Sequence, residues 1–166
     1  SRGLVGSEMC IRDSNIPVTQ TVMGYSTMKR DHSHFLGPIG GLGGKAANNL
    51  AKQTDLAIAV GTKLADFTTG SWANFENPDF SLVSVNVSRF DASKHLAQSV
   101  IGDAKVSLQE LSNALGDWKA PDEWHKKSRD ELKNWNDYVD KESGPTNQEL
   151  PSYAHAVGAI YRNSDP

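Results

Sequence analysis

The run Leu56-Ala57-Ile58-Ala59-Val60-Gly61 contains no polar residue and no alternation. A strand with one wet face alternates polar and apolar residues, so an unbroken apolar run of this length predicts a parallel strand covered on both faces. Residues 80–87 give a second such strand and residues 99–102 a shorter third. Parallel neighbours need a crossover connection. Residues 62–79 are long enough for one, and residues 89–98 fit a shorter helical one. Residues 16–22, with Val18, Thr19, Thr21 and Val22, add a β-branched run with a proline near its start. The class this layout predicts is α/β, a doubly wound parallel sheet with helices on both faces.

Between residues 16–22 and the Leu56–Gly61 run lie Gly37, Gly40, Gly41, Gly43 and Gly44, then Ala46, Ala47, Leu50 and Ala51 at helical spacing. This reads as a loop feeding a helix. After the third run, Val106, Leu108, Leu111 and Leu115 mark another helix, with Ser107-x-x-Glu110 as its capping box and Gly116 at its end. The domain is expected to span residues 15–116. Residues 117–149 are then a charged connecting helix and linker: 14 of the 26 residues from 117 to 142 are charged, six basic and eight acidic. Trp124, Leu132, Trp135 and Tyr138 or Val139 form a narrow apolar stripe on it. Pro121-Asp122-Glu123 suits its start, and Glu123 with Lys127 and Asp137 with Lys141 are four-residue pairs. The Trp124/Trp135 face is expected to stay exposed, its cover being a neighbouring domain or subunit. Residues 150–166 read as the truncated start of a further domain. Residues 1–14 show no periodicity and hold Cys10, the single cysteine. Because VGSEMCIRDS resembles translated sequencing-adapter DNA, these residues are set aside as a non-native leader, a native disordered leader being the alternative.

Charge and composition exclude several functions. Seventeen Lys and Arg against twenty Asp and Glu leave a net charge of −3, so no nucleic-acid partner is expected. No apolar run approaches the roughly 20 residues a membrane span requires, and the first residues lack a signal-peptide layout. The expectation is a soluble cytoplasmic protein with no membrane partner. One cysteine permits neither an internal disulfide nor a thiolate zinc site. The five histidines are scattered, without H-E-x-x-H, and His32-x-His34, the nearest pair, reads as part of a solvated loop. No G-x-S-x-G elbow is present.

Ligands of such sheets bind outside the carboxyl ends of the strands, here residues 61–66, 86–90 and 102–103. A phosphate loop ending at Gly44-Lys45 would need Gly where Ile39 stands and Ser or Thr where Ala46 stands. Gly41-x-Gly43-x-x-Ala46 meets a dinucleotide fingerprint, but no clear strand leads into it. The glycines therefore serve either an anion-binding loop or a turn where backbones crowd. Residues 62–72, rich in hydroxyls and carrying Lys63 and Asp66, form either a ligand loop or a surface loop bonded to itself. The cofactor-binding candidates are Gly40, Gly43, Lys63 and Asp66. No catalytic residue and no metal ligand is assigned.

The stretch Gly37-x-Ile39-Gly40-x-x-Gly43-x-x-Ala46-Ala47-Asn48-x-Leu50-Ala51, followed by Asp55, Ala59-Val60-Gly61-Thr62-Lys63-Leu64-x-Asp66-Phe67-Thr68-Thr69-Gly70-Ser71, resembles the central domain of thiamine-diphosphate-dependent enzymes. The Asp66–Ser71 run, with residues 86–95, is most similar to the branch that opens a cyclic 1,2-dione in myo-inositol breakdown. The resemblance implies three α/β domains, of which the pyrimidine-binding and diphosphate-binding ones are missing here. It implies thiamine diphosphate and Mg2+ in the parent protein, neither bound by this piece alone, and a homo-oligomeric parent. The implied reaction is hydrolysis of trihydroxycyclohexane-1,2-dione to 5-deoxy-glucuronate, with this piece inactive by itself. The family's Gly-Asp-Gly magnesium motif is absent, since Gly102-Asp103 is followed by Ala104 and Gly116-Asp117 by Trp118. Lys63 stands where the family commonly has Arg. Two alternatives stay open: an acetolactate-synthase-like fragment, and a stand-alone FAD- or nucleotide-binding module using Gly40, Gly43, Lys63 and Asp66. The missing Arg-Phe-Asp-Asp-Arg sequence speaks against the first and against FAD.

Overall fold

A computed structural model describes residues 14–25 and 27–164; the leader, apart from Ser14, lies outside them. Ser14 is buried, and its carbonyl accepts the Ala120 N–H at 2.8 Å. Strand β1 (Val18–Gln20) pairs in parallel with β2 (Phe35–Pro38), Val18 opposite Phe35 and Gln20 opposite Pro38. Sequence reasoning misses β2, because its two apolar residues run straight into Gly37 and Pro38. Phe35 and Leu36 are nevertheless buried. A strand therefore does lead into the glycine cluster, contrary to expectation.

Helix α1 (Lys45–Ala51) follows, with Ala46, Ala47, Leu50 and Ala51 buried on the predicted face. Leu36, Ile39, Ala47, Leu50 and Ala51 form one core cluster, against which Phe75, Trp124 and Leu132 pack. Each fully buried leucine or isoleucine there contributes on the order of 1.5–3 kcal/mol.

Strands β3 (Leu56–Val60), β4 (Ser81–Asn86) and β5 (Gln98–Ile101) form a second parallel sheet, with Val60, Val85 and Val100 in one row. The three apolar runs are the three strands. Among the described residues no ladder joins this sheet to β1 and β2, so the parallel strands with flanking helices are divided into sheets of two and three. The expected cover is also incomplete: β5 is exposed at every position and Leu56 is 49% exposed. Short helix α2 (Asp66–Thr69) follows β3, and α3 (Arg89–Ala92) lies beside β5, where Ser99 Oγ donates to the Ala92 carbonyl at 3.0 Å.

Helix α4 (Ala104–Leu115) starts earlier than predicted. Asp103 caps it, its carboxylate accepting the N–H groups of Lys105 and Val106, so Ser107 lies inside the helix and the expected capping box does not form. Gly116 ends it at φ +53°. Helix α5 (Asp122–Ser143) is the charged helix. Asp137 pairs with Lys133, the preceding turn, rather than with Lys141, and the Asp137 carboxylate raises the Lys133 pKa.

The tryptophan stripe is covered differently from expectation. Trp124 and Trp135 are both half-buried, and their cover is the domain's own first half. Trp124 packs on the core cluster. Trp135 lies over Gly44, where an added Cβ would come within 3.0 Å of its Nε1, and stacks with Tyr138, whose ring carries Lys45 Nζ at 4.7 Å. The last helix, α6 (Tyr153–Asn163), rests on the end of α5 through Gly158, and Arg162 donates to the Ser143 carbonyl at 2.6 Å. Among the described residues no helix is long and apolar enough to cross a membrane.

Candidate functional site: the rim at the strand ends

The carboxyl ends of β2, β3, β4 and β5 are tied into one rim. Gly41 N–H donates to the Phe67 carbonyl at 2.8 Å, joining the loop after β2 to α2. Asn86 holds the next three ends: its side chain donates to the Thr62 carbonyl at 3.2 Å, its side-chain oxygen accepts Ser88 N–H at 2.9 Å, and its carbonyl accepts Gly102 N–H at 3.2 Å.

Gly40 and Gly43 stand where backbones crowd. A Cβ on Gly40 would lie 2.2 Å from the Phe67 carbonyl oxygen, and Gly40 has φ +106°. A Cβ on Gly43 would lie 2.6 Å from the Pro38 oxygen. The amides of this loop are also engaged. Gly40 N–H donates to Asn48 Oδ1 at 3.0 Å, Gly43 N–H to the Gly40 carbonyl at 2.9 Å, and Gly44 N–H to the Pro38 carbonyl at 2.9 Å. An amide already donating to a protein carbonyl is not presented to a phosphate.

Lys63 and Asp66 are exposed on the same rim but apart from each other. Asp66 opens α2 beside Phe67, the residue that Gly40 and Gly41 touch. Lys63 lies toward α3, where it helps to hold Asp91 in its charged form; the main cause of that carboxyl's lowered pKa is its hydrogen bond from Lys94 at 2.7 Å. No ion pair joins Lys63 to Asp66 among the described residues. The residue that sequence reasoning overlooks is Asn48, a side chain on α1 that grips Gly40 from the helix. Its position two residues after Ala46 on the loop-proximal turn was the available signal.

At the opposite ends of β3 to β5 a cleft of about 550 Å3 is bounded by Leu56, Trp72, Phe80, His95 and Leu96. Trp72, His95 and Leu96 all hold positive φ, and the Trp72 and His95 rings lie 4.4 Å apart.

Among the described residues no group of three or more His, Cys, Asp or Glu is placed to hold a metal ion. The rim itself carries single charges, Lys63 and Asp66 among them, on backbone walls.

The family model for the central domain of thiamine pyrophosphate enzymes matches residues 9–111, and the chain belongs to that family. The match begins inside the segment set aside as a leader. Among curated proteins the chain is similar to 3D-(3,5/4)-trihydroxycyclohexane-1,2-dione hydrolases. With that of Clostridium perfringens (strain 13 / Type A) it shares 48% identity over 101 residues, 61% of this chain and 16% of the relative. With that of Geobacillus thermodenitrificans (strain NG80-2) the identity is 35% over 156 residues, 87% of this chain and 24% of the relative. With that of Clostridium tetani (strain Massachusetts / E88) it is 42% over 123 residues, 68% and 19% respectively. The chain thus spans between a sixth and a quarter of the length of these relatives.

Proposed function

We propose that this chain is the central-domain part of a cytoplasmic hydrolase that opens trihydroxycyclohexane-1,2-dione to 5-deoxy-glucuronate, and that it is inactive alone. The observation that carries the reading is the identity to the dione hydrolases, 48% over 101 residues and extending at 35% over 156. When bound in such an enzyme, thiamine diphosphate supplies an electron sink for breaking a carbon–carbon bond. In this reading the cofactor and its Mg2+ are held by the pyrimidine-binding and diphosphate-binding domains, the parent is a homo-oligomer, and residues 150–166 begin the latter domain.

Lys63 and Asp66 are exposed rim charges that a ligand could meet, while Gly40 and Gly43 give the rim its shape. The engaged loop amides weigh against the nucleotide-module alternative.

The test is to clone the reading frame extended at both ends and assay it on the dione with thiamine diphosphate and Mg2+. Turnover by the extended protein and none by the 166-residue chain is the expected result. Acetolactate formation from pyruvate without dione turnover would overturn it in favour of the acetolactate-synthase-like reading. Tight FAD binding by the 166-residue chain would favour the stand-alone module. Lys63→Ala and Asp66→Ala should lower turnover while changing stability by only about 0.5 kcal/mol, as for surface substitutions generally.

A further inference from the structure

His34 is not in a solvated loop, as its polar neighbours led us to expect. It is 4% exposed, and its ring packs against His125 on α5 with centroids 4.6 Å apart and planes inclined at 30°. The Nε2 atoms of both rings are buried without a hydrogen-bond partner. Around them the contact is well made. Arg129 donates to the Ser33 carbonyl at 2.8 Å, Ser33 Oγ meets His34 Nδ1 at 2.8 Å, and the fully buried Ser128 bonds the His125 carbonyl. The His34 carbonyl accepts Val18 N–H, so the same residue anchors the β1–β2 pair.

A buried His34 ring packed on His125, with an idle nitrogen on each, is favoured only while His34 is neutral. Every ionisable group that bears on His34 is a base: His32 from its own loop, His125 and Arg129 from α5. Neither β1 nor β2 carries an ionisable side chain. A proton on His34 would have no carboxylate to balance it.

We propose that the His34–His125 pair is an acid-released latch that holds the start of α5 on the β1–β2 half of the domain. Well above about pH 6.5 His34 is neutral in the closed and open forms and the latch stays shut. Burial, followed by His125, His32 and Arg129, lowers the His34 pKa to about 4. The open form, in which His34 regains its ordinary affinity, therefore takes up the proton first. Closure weakens as pH falls from about 6.5 toward 4. Trp124, next to His125 and packed on the core, leaves its site when the latch opens.

The experiment is a reversible titration of the full chain from pH 8 to 4, reading tryptophan emission together with hydrogen exchange of the α5 and β3–β4 amides. The expected result is a red shift and faster exchange in the first turns of α5 while β3 and β4 stay protected. His125→Phe, which keeps a ring but carries no charge, should move that transition down by at least about half a pH unit; Arg129→Gln, which removes a charge while leaving a side-chain amide to donate to the Ser33 carbonyl, should move it the same way. Loss of α5 protection at one shared pH with that of β3–β4, or with that of the α1 amides read in the same titration, would overturn the latch, since that is unfolding of the domain or of its first half. So would retention of α5 protection throughout, or a transition that neither variant moves.

Discussion

Asn48 binds both backbone groups of Gly40: its side-chain oxygen accepts the Gly40 N–H and its amide donates to the Gly40 carbonyl, each at 3.0 Å. Asn74 donates to the same Asn48 oxygen at 3.2 Å. One helix side chain thereby fixes the loop after β2 and the loop after β3 together. Asn48→Ala leaves two backbone groups in a partly buried place without partners, which should cost about 2 kcal/mol. Urea unfolding checks this. Asn48→Asp keeps the acceptor and loses the donor, so it should fall between the two.

Glycine substitutions should separate crowding from backbone conformation. Gly40→Ala meets the Phe67 carbonyl at 2.2 Å and must also hold φ +106°, and should cost roughly 3 kcal/mol or more. Gly61→Ala has φ +63° and open space around it, so only the left-handed backbone is penalised, at about 1–2 kcal/mol. Equal costs in thermal unfolding would contradict this account of the rim.

Gly158 is the seat of α6. An added Cβ would lie 2.1 Å from the Ser143 carbonyl oxygen, so Gly158→Ala should lift α6 from the end of α5. Limited proteolysis should then cut residues 144–152 faster, with the unfolding midpoint of the remaining domain unchanged. A lower midpoint without faster cleavage would place α6 in the core instead.

Asp91 offers a pH-dependent check on α3. The Lys94 hydrogen bond leads the forces that hold its pKa below the ordinary carboxylate value. A depressed carboxyl pKa stabilises the fold above the unfolded-state value, about 3.9, and that contribution fades as pH falls through the folded value. In Lys94→Ala the carboxyl resonance of Asp91 should titrate at higher pH than in the parent chain. An unmoved titration would assign the effect to Ser88 and Lys63, the weaker contributors.

What the sequence makes legible follows physical range. Strand β3 is plain because its apolar run is unbroken, and β4 because Leu82, Val83 and Val85 fall within one short segment, although the run in β3 overstates its burial. Helix α1 is plain because alanine and leucine repeat at its own period. Strand β2 is hidden because Gly37 and Pro38 read as a turn, although they sit in a ladder beside β1. The cap of α4 is misplaced because Asp103 and Ser107 both carry capping side chains and only the backbone decides between them. His34 reads as solvated because its partner is 91 residues further along the chain, beyond any local pattern. On the rim, the crowding at Gly40 and Gly43 was one of two readings left open, whereas the grip of Asn48 needed the helix and loop in place together.

The absence of a ladder between β1 and β3 gives the chain an internal fault line. A continuous sheet transmits strain sideways through its amides, but here, among the described residues, the two halves are joined by the α1 crossover, the Gly41–Phe67 and Asn48–Asn74 hydrogen bonds and the packing of Phe75 on the core cluster. Partial unfolding should therefore divide there, β1 and β2 melting as one block with α1 and α5 while β3, β4 and β5 persist as another. The same division makes the piece modular: each block keeps its own register when the other is disturbed.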